Sequence, residues 1–160
     1  MNWIIRKSNK LLSHTHLNSL LKPIYNEVKN WNWLVSDVDY ISNTEDLPIN
    51  FDHDYFVLSP IQFQQLVKAD PQIIWGVLLG FQNKQSIDVD EENLPYAEGN
   101  VLIWKNGNIQ HHNAMIEIVC FDSGYTIVKF RDSDLSNKFK AYFDEAVDLE
   151  VFSKGIPRSY

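Results

Sequence analysis

The segment "QIIWGVLLGF" at 72–81 constrains the fold of this chain more than any other. Apart from Gln72 every residue in it is apolar or glycine, and none is charged. The run is about half the length of a membrane span. Its lack of polar alternation predicts a central strand covered on both faces. Gly76 and Gly80 inside it are expected to mark bulges or close packing by a helix.

The rest of the chain supplies further elements. "WIIR" at 3–6 reads as a short strand. Leu17, Leu20, Leu21, Ile24 and Val28 recur at helical spacing, with Ser13 or Thr15 as cap and a kink or break at Pro23. In "NWNWLVSDVDYI", Trp31, Trp33 and Val35 alternate with Asn32, Leu34 and Ser36, which predicts a strand ending near Asp37. Residues 42–54 are turn-rich and read as a loop, and "YFVL" at 55–58 as a short buried strand. "SPIQFQQLVKAD" announces a helix: Ser59 caps it, Pro60 takes the first position, Gln62 completes a capping box and Pro71 ends it.

Further on, "NVLIW" at 100–104 is expected to be a strand and "KNGN" at 105–108 a turn. "AMIEIVCFDSGYTIVKF" predicts a hairpin turning at Asp122, Ser123 and Gly124. Leu135, Phe139, Tyr142, Phe143 and Ala146 define a last helix capped by Ser133 or Asp134, and the tail from about 153 is expected to be mobile. No repeat or linker divides residues 1–160. Consecutive strands joined by tight turns imply antiparallel pairing. The expected class is therefore a single α+β domain: a mainly antiparallel sheet of about six strands with about three helices packed on it.

Composition narrows function by exclusion. Hydrophobic residues make up 44% of the chain and aromatics 13%, which supplies a core and argues against disorder. Net charge is −7, which disfavours nucleic acid and anionic membranes as partners and is compatible with high solubility and with steered binding to something basic. The lone Cys120 forms no internal disulfide or cysteine zinc cluster and reads as a buried, inert thiol. In "MNWIIRKSNKLL" the charges follow the short apolar piece instead of preceding it, so no secretory leader is expected and the cytoplasm is the expected location.

Chemistry-bearing candidates concentrate in "SIDVDEENLPYAEGN" at 86–100. Asp88, Asp90 and Glu92 have the first spacings of a calcium loop. Asn93 then stands where glycine belongs, and Gly99 where the terminal glutamate belongs. No metal or cofactor is expected. Five carboxylates in one polar loop share one environment, which does not separate pKa values as acid/base catalysis requires. The loop is either solvated or a docking patch for a cationic partner.

The histidines offer little more. His111 and His112, if on a strand, point to opposite faces, and His14 and His16 precede a helix. Asp52, His53 and Asp54 form an orienting-carboxylate pattern that turn composition also explains. Nucleophile and phosphate-loop motifs are lacking, so no catalytic residue is assigned. Trp31, Trp33, Trp75 and Trp104 are divided between core and a binding surface. Asp37 and Asp39 follow two of them and share a side if the strand continues, an aromatic–acid arrangement suited to Lys or Arg.

The layout "WNWLVSDVDY", "DYFVLSPIQFQQLV", "IIWGVLLGF" and "AMIEIVCFDSGYTIVKF" followed by a short helix resembles the small acidic immunity proteins of bacterial polymorphic toxin and contact-dependent inhibition systems. The resemblance implies a non-catalytic cytosolic protein that binds and neutralises a cognate toxin domain, often a basic nuclease. Chemistry alone assigns Asp37, Asp39, Asp88, Asp90, Glu91, Glu92 and Glu98 to partner binding. Two other classes stand beside it: a small hydrolase or nuclease using His53 with Asp52 or Asp54, and a small-molecule or peptide sensor with a Trp-lined pocket.

Overall fold

The computed structural model describes residues 1–11, 13–82 and 87–155. Along the chain come β1 (Asn2–Ile5), α1 (Leu17–Leu21), α2 (Tyr25–Val28), β2 (Asn32–Ile41), β3 (Tyr55–Leu58), α3 (Pro60–Ala69) and β4 (Gln72–Phe81). A short 3-10 helix (Val101–Trp104) precedes β5 (Ile116–Phe121), β6 (Tyr125–Phe130), α4 (Ser133–Tyr142), β7 (Val147–Asp148) and α5 (Leu149–Gly155). The strands make one sheet in the order β3-β2-β4-β5-β6-β1-β7, and every neighbouring pair is antiparallel. The class is single-domain α+β, with seven strands where about six were expected. The helices number five among the described residues, because Pro23 splits one and α5 adds another.

β4 lies inside the sheet and is covered on both faces, as its apolar sequence predicts. Leu78 and Ile73 join a core under α1–α4, where Leu17, Leu20, Leu21, Ile24, Phe63, Leu66, Phe139 and Phe143 are buried. Val77, Leu79 and Phe81 join a second core on the opposite face. That second layer is mostly not helix: the segment 87–115 supplies Ala97, Ile103 and Ala114, and α5 supplies Leu149. Each fully buried Leu or Phe is worth about 2 kcal/mol of transfer free energy, so both layers hold the sheet. The acidic stretch is therefore part of the cover of one sheet face.

Gly80 packs closely, though against side chains and not a helix. A Cβ on it would lie 2.5 Å from Ile116 Cγ2 and 3.0 Å from the Trp33 ring. Trp33 in turn stacks on Phe63 of α3 at 4.2 Å. Gly76 adopts φ +155° opposite a break in the β2–β4 register between Ser36 and Asp39. β2 does not end near Asp37; it bulges there, with Asp37 at φ 55°, and continues to Ile41.

The α3 capping box forms as predicted, with Ser59 N donating to Gln62 Oε1 at 2.9 Å and Ser59 Oγ accepting from Gln62 N. Other caps differ. α4 is capped by Asp132, whose Oδ1 accepts from Asp134 N at 2.8 Å and Leu135 N at 2.9 Å, so Ser133 and Asp134 lie inside the helix. At α1 the cap position is His16, whose side chain makes no capping bond and meets Asp70 instead, and Thr15 turns inward to donate to Ile73 O. "NVLIW" is a 3-10 helix instead of a strand. Asn100 caps Leu102 N at 2.9 Å, and only Ile103 of the four is buried, so no alternating face exists for a strand. "YFVL" is an edge strand with Val57 48% exposed, not a buried one.

The tail expected to be mobile from about 153 begins inside α5. There Ser153 Oγ donates to Trp104 O at 2.8 Å and Phe152 faces the Trp104 ring; residues 156–160 lie outside the described residues. Among the described residues, no helix is long and apolar enough to cross a membrane.

Candidate functional site

The 87–100 segment is fastened to β2 and β3 through a set of specific bonds. Ser36 Oγ donates to Pro95 O at 2.6 Å, and the backbone N–H groups of Ala97 and Glu98 donate to Asp37 Oδ2 at 2.7 and 3.5 Å. Gln110 Oε1 accepts from Tyr96 N at 3.1 Å and from Asn100 Nδ2 at 2.9 Å. Pro95 and Ala97 are buried, while Asp88, Asp90, Glu91, Glu92 and Glu98 all stay exposed. The loop is thus fastened by its backbone and apolar residues, with its carboxylates turned outward.

Between this loop and the sheet is a cleft of about 500 Å³. Asp37, Asp39, Asp54 and Glu98 line it with Trp75, Tyr96, Val38, Leu94 and Pro95. A second concavity of about 580 Å³ shares Asp54 and Leu94 and adds Asp52, His53, Tyr55 and Glu91. Glu91 Oε1 accepts from Tyr55 Oη at 2.7 Å, and that carboxylate raises the pKa of the phenol above its ordinary value. A third, about 400 Å³, lies behind the loop and takes in Asp88, Asp90, Gln110, His111 and His112.

The sequence-assigned residues separate accordingly. Asp37, Asp39 and Glu98 meet in the first cleft, Glu91 adjoins it in the second, and Asp88 and Asp90 line the third. Glu92 lines none of these. Asp37 also works as a clamp on the loop, a role its spacing from Asp39 does not reveal. Asp54, Trp75 and Tyr96 complete the first cleft. Trp31 and Trp33 are core residues, while Trp75 is half-buried in the cleft wall and rests edge-on against Phe121 at 4.6 Å.

A signal for this convergence does exist in the sequence. Residues 30–67 carry six carboxylates and 85–104 carry five, with no Lys or Arg in either stretch. The fold sets portions of these two stretches side by side. Five carboxylates elsewhere are paired with lysine: Asp144 and Glu145 with Lys10, Glu27 with Lys138, Glu150 with Lys154, and Glu117 with Lys129. Among the described residues, no carboxylate of the first two concavities has a cationic partner within ion-pair distance.

Other candidate chemistry looks different in three dimensions. Asp90 closes a local turn, accepting from Glu92 N at 3.1 Å and Asn93 Nδ2 at 2.8 Å. Among the described residues, no group of three or more His, Cys, Asp or Glu side chains is arranged to hold a metal ion. His53 shares its concavity with Asp52 and Asp54, yet no hydrogen bond among the described residues joins it to either, and its ring meets Phe56 edge-on at 6.0 Å. His111 and His112 are not on a strand: they occupy a turn before β5 with rings stacked at 4.8 Å. Cys120 is fully buried in β5, where desolvation pushes its thiol pKa far up.

No family model, curated protein or solved structure matches the chain. The fold and the cleft define an α+β protein with a concave, aromatic-walled acidic surface.

Proposed function

We propose that this protein acts without catalysis, by binding a basic protein through the acidic cleft, and that the partner is a toxin domain it neutralises. One observation carries the reading. The carboxylates Asp39, Asp54 and Glu98 gather around Trp75 and Tyr96 with no cation of the described chain within ion-pair distance. Unpaired like charges held together lower the stability of the free protein, and a Lys or Arg from outside relieves that repulsion. The aromatic walls add a cation–π contribution of about 0.5–2 kcal/mol to a Lys or Arg side chain entering the cleft.

A lysine- or arginine-rich active-site face, such as a nuclease uses to hold nucleic acid, has the complementary charge. Covering it would block the substrate directly. The resemblance to immunity proteins gives the same partner class, and the cytoplasm as the place of encounter. The test starts at the neighbouring reading frame, where this reading expects a toxin domain, and titrates that domain with the chain. Protection that reaches completion at one equivalent supports stoichiometric occlusion. Protection by a small fraction of an equivalent would mean the protein consumes its target, and the non-catalytic reading would fail.

A further inference from the structure

β3 is the outermost strand on the cleft side of the sheet and pairs only with β2. Among the described residues, no backbone hydrogen bond reaches residues 55–58 from any other segment. Sheet edges attract foreign strands, and proteins guard them with lysine, proline, bulges or a covering element. β3 reads Tyr-Phe-Val-Leu, with neither lysine nor proline, and its Val57 is 48% exposed. The opposite edge is handled differently: β7 is two residues long and leads directly into α5, which packs over β1 and β7.

We infer that the β3 edge receives an extended segment of the basic partner, which adds to the sheet as an eighth strand. This rests on the proposed binding of a basic protein and specifies how that protein is held. The register explains why the incoming strand is basic. Tyr55 and Val57 lie opposite Ser36 and Leu34, so they share the face covered by the acidic loop. On that face Tyr55 bonds Glu91, and Asp52, Asp54 and Glu91 line one concavity.

A strand laid along β3 points every second side chain to that face, where Lys or Arg meets those carboxylates. The intervening side chains point to the helical face, beside Phe56 and Leu58. Main-chain hydrogen bonds hold such a strand, and the alternating side chains select it. A second copy of this chain is a poor occupant: edge-to-edge pairing of two β3 strands brings two sets of the same carboxylates together.

The experiment uses the full chain and two probes. One is a short acetylated peptide of alternating lysine and valine. The other is its fully N-methylated counterpart, with the same side chains and charge but no backbone donor. Affinity is measured by titration calorimetry, and amide exchange at residues 55–58 by NMR. The expected result is binding of the first peptide at least about tenfold tighter than the second, with slowed exchange at those amides. Equal binding of both without protection at 55–58 would overturn strand addition while leaving recognition by charge standing. Binding of neither would overturn both.

Discussion

Asp37 sits at φ 55°, a left-handed conformation that costs a non-glycine residue about 1 kcal/mol, and it holds the loop through Ala97 N and Glu98 N. Its neighbour Asp39 is exposed and makes no such bond among the described residues. The two carboxylates, read from the sequence as an equivalent pair, therefore differ in consequence. Asp37→Ala is expected to destabilise the fold by about 2 kcal/mol, through loss of a charge-accepting bond and a worse fit to positive φ. Asp37→Asn, which tolerates that backbone and keeps an acceptor, should recover most of it. Asp39→Asn removes one of the clustered like charges, so it should leave the urea midpoint unchanged or slightly raised while weakening binding. Gly80 is the second sensitive residue. A methyl group there meets Ile116 and Trp33, both locked in the core, so Gly80→Ala is expected to lower stability by about 1–3 kcal/mol in urea denaturation. The sequence marks Gly80 as a close-packing site but does not say that side chains, not a helix, approach it.

Elements with a strong local code were legible. The α3 capping box, the break at Pro23, the β5–β6 hairpin and the two-sided burial of β4 all follow from turn chemistry or hydrophobic pattern. Elements with a weak code were not. "VLIW" offers four apolar residues that suit a strand or a helix, and the Asn100 cap decides for the 3-10 turn. β7 is too short to carry a period. The way the loop before β5 is fastened was also invisible, because it depends on a pairing across strands. Glu117 and Lys129 face each other in the β5–β6 register, fully buried, with 2.7 Å between Oε1 and Nζ. Glu117 Oε2 accepts from Gln110 N at 2.7 Å, and Lys129 Nζ donates to Asn108 O at 2.7 Å. Burial lowers the Lys129 pKa, and the Glu117 carboxylate opposes that. Removing one partner strands the other charge, so Lys129→Met is expected to cost about 3–5 kcal/mol in urea denaturation. It should also speed amide exchange at Gln110. Loss of under about 1 kcal/mol would show that the pair does not hold the loop.

At the scale of the whole molecule the distribution of charge matters more than its total. Lysines are interleaved with acids at the ends of the chain and absent from 30–67 and from 85–104, and the fold brings the acids of those two stretches to neighbouring walls. The net charge of −7 is compatible with a basic partner but does not say which surface carries the acidic cleft. Locating the site needed the bulge in β2 and the fastening of the loop, neither of which has a sequence code of its own. Electrostatic capture of a basic protein at this surface is the proposed mode of action. Its most direct measurement is stopped-flow association with the toxin domain as a function of ionic strength, comparing the natural chain with Asp39→Asn/Asp54→Asn/Glu98→Gln. The triple variant is expected to associate at least about tenfold more slowly at low salt, with a shallower salt dependence, and to converge on the natural chain above about 0.5 M salt. Identical rates and identical salt slopes for the two proteins would contradict the account.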